Sequence, residues 1–162
     1  MAITTQGSAE TFKRRFLADR PSDAALAEQV IAWATSRHLV RGWTSAAEID
    51  TLTCRATIGQ YKHKILTLQT NGLIWILFSQ LLAVFPGSDT AMKARFQKQL
   101  SDRLGKIPGG NSLPATYKSK ASWRLADMDL PAFLGVTDWV LGELKRTHDA
   151  AVALHASNRA RR

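Results

Sequence analysis

The fourteen residues "GLIWILFSQLLAVF", Gly72 to Phe85, constrain this chain more than any other stretch. A run this apolar has to be taken out of water, yet it falls short of the about 20 residues that span a bilayer, and Ser79 and Gln80 interrupt it. It therefore reads as the centre of a core. With apolar residues on most faces and Pro86-Gly87 as a stop, the expected form is a buried helix from Leu73 to Phe85.

The flanking segments read as helices that would pack around it. In "AETFKRRFLAD", Phe12, Phe16 and Leu17 share one side and Lys13, Arg14 and Arg15 the other, and Pro21 ends the pattern. Ser22 or Asp23 can cap "DAALAEQVIAWATSRH", where Leu26, Val30, Trp33 and Ala34 form a stripe. "TSAAEIDTLTCRATIGQYKHKILTLQ" opens on Ser45-x-x-Glu48, the pattern of a capping box, with Gly59 and Asn71-Gly72 as interruptions. Ser88 or Asp89 can cap "TAMKARFQKQLSDRL", closed by Gly105. Gly105 to Ala121 holds three Gly, two Pro and no stripe, a long loop of the kind that tends to be functional or mobile. Pro131 opens a last helix running towards Ala153. Val and Ile are too scattered to suggest a sheet. The expectation is an all-α fold: one compact helical domain over 1–162, of about six helices, with a flexible arm at 1–8 and a basic tail at 156–162.

Charge says more about partners than about fold. Twenty-two Lys and Arg face thirteen Asp and Glu, a net charge of +9, which favours polyanionic partners, nucleic acid first. Lys93, Arg95, Lys98, Arg103, Lys106, Lys118, Lys120 and Arg124 are opposed only by Asp102, so one helix and the loop after it carry +7. Charges arranged this way can follow a phosphate chain without reading bases. The plain alternative is a solvated face with a charged loop.

A catalytic constellation is not visible. His38, His63, His148 and His155 have no metal-ligand spacing, "GKIPGG" lacks the context of a phosphate loop, and no serine sits in a nucleophile elbow. The reading is non-enzymatic, without cofactor or metal. A lone Cys54 excludes an intramolecular disulfide and reads as a buried thiol. Trp33, Trp75 and Trp139 read as core; Trp43 and Trp123, beside Arg41 and Arg124, read as residues at helix entrances, either stacking on a base or closing the helix start. The N-terminal stretch has no signal-peptide core, so an intracellular, cytoplasmic location without membrane contact is expected.

Several stretches in order, "NGLIWIL", "PGSD", "AMKARFQKQLSD", "WRLADMDLPAFLGVTDW" and "RTHDAAVALHASNRA", resemble the coat-protein core of flexible filamentous plant viruses, the potyvirus type especially. The resemblance implies an all-helical core in which a Ser, an Arg and an Asp hold the RNA backbone, here Ser88, Arg95 and Asp127. It also implies subunits that associate into a filament, and a virion as location. Within that expectation Arg95, Lys98, Arg103, Lys118, Lys120 and Arg124 neutralise phosphates, with Ser88 and Asp127 as polar orienting groups. Asp127 has two open readings: it orients Arg95 or Arg124, or it complements the dipole of the helix that Asp129 caps. Three other functions compete: a helical adaptor or effector binding an acidic protein, a helix-turn-helix DNA-binding protein built on "SRHLVRGWTSAAEIDTLTCRATIG", and an all-α enzyme with a dispersed site.

Overall fold

A computed structural model describes residues 5–77, 81–82, 85, 90–109 and 120–161. The first two helices form where the sequence places them. Helix α1 is Ala9–Asp19, and Ser8 caps it by accepting from the Thr11 N–H at 3.1 Å. Phe12 and Phe16, one turn apart, are its buried residues. A short 3-10 turn at Pro21–Asp23 leads into α2, Ala24–Ser36, which buries Ala27, Val30, Ile31, Trp33 and Ala34.

After α2 the chain departs from the all-α expectation. His38 has φ +55, and the Leu39 N–H reaches back to the Ala34 carbonyl at 3.0 Å, a left-handed helix end of the Schellman type. From there the chain runs into an antiparallel sheet. Strands β2 (Val40–Ser45), β3 (Thr51–Ile58), β4 (Tyr61–Gln69), β5 (Leu73–Leu77) and β6 (Lys120–Arg124) lie side by side in chain order. A two-residue strand β1 (Thr5–Gln6) adds to the edge at β2. The fold is mixed α and β, not an all-α domain of about six helices. Helix α3 (Thr90–Leu104) lies in the connection from β5 to β6, and α4 (Leu130–Ala160) follows β6 through a 3-10 turn, Leu125–Asp127.

The stretch read as helical from Ser45 to Gln69, with an interruption at Gly59, is a hairpin. Ile58 pairs with Tyr61 across Gly59-Gln60, and Gly59, at φ +62, takes the left-handed conformation that so tight a turn requires. Ser45 caps nothing: its hydroxyl donates to the Asp50 carboxylate at 2.6 Å. The apolar run is a strand over Leu73–Leu77, and Leu81 and Leu82 beyond it are helical and buried. Residues 78–80, 83 and 84 of that run, the cap at Ser88 or Asp89, and 110–119 of the expected loop lie outside the described residues. The loop itself ends early, because Lys120 and Ala121 belong to β6. At the ends, Thr5 and Gln6 pair with Ser45 and Thr44, and the stretch expected as a basic tail is helical to Ala160.

Register separates the two faces of the sheet, because paired residues point the same way and neighbours alternate. The inner face carries Trp43, Leu52, Cys54, Leu66, Leu68, Ile74, Ile76, Ala121 and Trp123. All of these but Trp43 are buried. Against it stand the helices: Phe12 of α1 meets Trp43 at 5.4 Å between ring centroids, and Phe133 of α4 meets Trp123 at 5.2 Å. Arg41, on the same face, donates to the Thr35 hydroxyl of α2 at 2.9 Å. Helix α3 joins this layer through α4, with Phe96 stacked on Trp139 at 5.5 Å. Thus Trp43, Trp75 and Trp123 are strand residues, and Trp123, 1 % exposed, is core.

One ion-pair cluster ties the layers together. Asp50 is 2 % exposed, accepts from Arg15 Nη1 at 2.9 Å and from Ser45, and its backbone exchanges bonds with Thr70. Arg15 also donates to the carbonyls of Ala46 and Ala47, each at 2.8 Å, which clamps α1 onto the β2–β3 connection.

Candidate functional site

The outer face of the sheet has a different chemistry. The same register puts Thr44, Thr51, Thr53, Arg55, Thr57, Lys62, Lys64, Thr67, Gln69, Trp75, Ser122 and Arg124 on it. Arg55 and Lys64 are direct partners across β3 and β4, as are Thr57 and Lys62. Arg55 lies along the sheet over Gly42, where an added Cβ would meet its Nη1 at 2.8 Å. Beyond the bulge at Cys54 and Arg55, where Ile65 is the extra residue of β4, the strands twist and bring the three cations to the hairpin end. Lys62 and Arg124 are exposed; Arg55 and Lys64 are half-buried. No strand from β2 to β6 contains an Asp or Glu.

Charge is segregated along the chain as well. Residues 51–124 hold eleven Lys and Arg against Asp89 and Asp102, which is the whole excess of +9; the rest of the chain holds eleven of each sign. Of the basic residues that the sequence singled out, Arg95, Lys98 and Arg103 are exposed on α3, in the helical layer. Lys98 pairs with Asp102 at 2.8 Å, and Arg103 lies over the Trp139 ring at 4.4 Å. Arg95 lines a small hollow with Phe85, Phe96, Glu143 and Arg146. Arg124 is on the outer sheet face instead, and Lys120 pairs with Leu77 in β6. Ser88 and Lys118 lie outside the described residues.

Asp127 ends the turn before α4, is exposed, and makes no ion pair with Arg95 or Arg124 among the described residues. Its backbone carbonyl packs on Gly109, where a Cβ would come within 2.8 Å. Asp129 does what its position implies, capping α4 by accepting from the Ala132 N–H at 3.0 Å. Of the Ser, Arg and Asp implied by the viral resemblance, Arg95 and Asp127 form no ion pair with each other, and Ser88 lies outside the described residues. The helix-turn-helix reading falls, because its second helix is strands β2 and β3. Arg55, Lys62 and Lys64 were missed by reading charge on helices, although no acid occurs between Asp50 and Asp89.

Among the described residues no group of three His, Cys, Asp or Glu side chains could hold a metal, and no helix is long and apolar enough to cross a membrane. Cys54 is fully buried, and burial pushes its thiol up to about 12 against the opposing pull of Arg41 and Arg55. No protein-family model, curated protein or solved structure matches this chain.

Proposed function

We propose that this protein binds single-stranded nucleic acid, RNA in the first place, through the outer face of its sheet and with little sequence preference. One observation carries the reading: the whole net charge falls in the segment that builds β3 to β6 and α3, and the strands contribute cations without a single acid. Arg55, Lys62, Lys64 and Arg124 supply phosphate contacts, and the exposed hydroxyl of Thr57, across from Lys62, supplies a donor to phosphate or ribose oxygens. Arg95 and Lys98 on α3 belong to the other layer and serve as long-range attraction.

The reading is tested by titrating a labelled single-stranded oligonucleotide and competing with unlabelled single strands and duplex. Stronger competition by single strands, with little difference between sequences, is the expected result. Absence of binding at low salt overturns it, and so does stronger competition by duplex. A coat-type assembly would add contacts between copies. The feature favouring it is the end of α4, where Val152 and Leu154 are 54 % and 64 % exposed. Size exclusion before and after RNase tests that addition: a large, RNase-sensitive species supports it and a monomer counts against it.

A further inference from the structure

On the helical side, away from the outer sheet face, a cleft of about 650 Å³ opens between the end of α2, the β3–β4 hairpin and α4. Leu39, Ala56, Ile58 and Leu141 form its apolar floor, and Arg37, His38, Lys145, His148 and Asp149 its rim. That volume and that mixture of apolar floor and few polar groups suit a small ligand. Arg37 is already committed: Asp138 accepts from its Nε and, at 2.6 Å, from its Nη2, while Trp33 donates to the same carboxylate at 3.0 Å. The hydrogen bond to Asp138 holds the guanidinium above its ordinary pKa. Lys145 has no carboxylate within ion-pair distance among the described residues; His148 follows it by three residues on α4, and His38 lines the same cleft.

Two positions in this cleft run against what the fold alone would select. His38 occupies the left-handed end of α2, a conformation that costs a residue with a Cβ about 1–2 kcal/mol and that glycine takes freely. Gly142 lies inside α4, where alanine is favoured by about 1 kcal/mol, yet a Cβ there would meet nothing within 4 Å. No packing contact requires that glycine, and none requires Gly135 on the same helix; of the two, Gly142 lines the cleft. Gly59 leaves room for His148, whose Cε1 would lie 2.6 Å from an added Cβ. A costly imidazole at the mouth and a missing side chain on the wall are both accounted for by an occupant.

We infer that this cleft is a binding site for a small amphiphilic anion, a carboxylate or phosphate head held by His38, Lys145 and His148 with an apolar body over Leu39, Ile58 and Leu141. The inference does not rest on the nucleic-acid reading, whose cations stand on the outer face of the sheet; of that face only Thr57, at the hairpin, also lines the cleft.

The test is a titration of the full chain with 1-naphthoate and with 1-naphthyl phosphate, followed by NMR of the histidine rings and the Ile and Leu methyls. Saturable shifts at His38, His148, Ile58 and Leu141 are expected, and whichever probe binds tighter identifies the head group. His38→Gly is expected to raise the melting temperature while weakening binding by about tenfold, a combination that unfolding cannot imitate. Gly142→Leu is expected to abolish binding with the fold intact. Inorganic phosphate alone is expected to leave the methyls unmoved. Non-saturable shifts, binding unchanged in both variants, or inorganic phosphate reproducing the whole pattern would each overturn the inference.

Discussion

The outer-face reading makes a numerical prediction about salt. Each phosphate neutralised on a single strand contributes about 0.7 to the slope of log K against log salt. The four cations of the outer face with described side chains are Arg55, Lys62, Lys64 and Arg124, so full engagement predicts a slope of about −2.8. Replacing the cross-strand partners together, Arg55→Gln with Lys64→Gln, removes two contacts and leaves about −1.4. Between about 50 and 200 mM salt the wild type should lose ~50-fold in affinity and the double variant only ~7-fold. Fluorescence anisotropy with a labelled homopolymeric oligonucleotide reads both numbers. Glutamine keeps much of the aliphatic stem that lies over Gly42, and a thermal melt checks that the sheet survives. The exposed pair, Lys62→Gln with Arg124→Gln, should give the same slope without touching that packing. Lys13→Gln on α1, paired with Glu28 at 3.0 Å, is the control and should leave the slope unchanged. If both double variants keep the wild-type slope, the outer face is not where the phosphates lie. If the helix variants Arg95→Gln and Lys98→Gln flatten it instead, the site is on α3.

Three further outcomes follow from the fold. Arg15→Ala strands the Asp50 carboxylate, with only the Ser45 hydroxyl left to it among the described side chains, and should cost about 2–3 kcal/mol in urea denaturation. Breaking a fully buried pair costs more, but Arg15 is 26 % exposed and water can partly replace it; a loss below about 1 kcal/mol would show that the clamp holds nothing. Cys54 should resist thiol reagents in the native protein at mildly alkaline pH and react on unfolding. Its raised pKa means that above the ordinary thiol range the unfolded chain releases a proton the folded one keeps, so its contribution to stability is lost as pH rises towards about 12. Rapid labelling under native conditions would contradict the burial. Gly142→Ala should stabilise the protein by about 0.5–1 kcal/mol, since α4 gains helix propensity and nothing is displaced; destabilisation would place an unseen contact at that wall.

Helix α1 was legible from end to end, and α2, α3 and the start of α4 nearly so, because each carries its own local signals: Phe12 and Phe16 on one side, Pro21, Gly105, Asp129 before Pro131. The sheet also had signals, and they were outweighed. "TLTCRATI" alternates strictly, and Leu52, Cys54, Ala56 and Ile58 are its buried apolar residues. Asn71-Gly72 turns β4 into β5, with Gly72 at φ +83 and Asn71 accepting from the Leu73 N–H at 3.1 Å. Against these, Ser45-x-x-Glu48 imitated a helix start, and the apolar run lost its alternation. Ile74 and Ile76 fill the inner face, while Leu73 and Trp75 are half-buried on the other, so β5 looks apolar all round and its period cannot be told from that of a buried helix.

The same physics limited the site. That the chain is basic, and where along it, is a property of composition and survived the change of fold. Which cations stand together is not. Arg55 meets Lys64 only because a two-residue turn folds β3 onto β4, and Arg124 joins their face only because β6 returns to pair with β5 after the whole of α3. Helical spacing grouped Arg95 with Arg103; the sheet groups Arg124 with residues far behind it in the chain. A partner that follows a backbone of evenly spaced charges responds to the second grouping, and the salt slope of the two double variants measures which grouping it is.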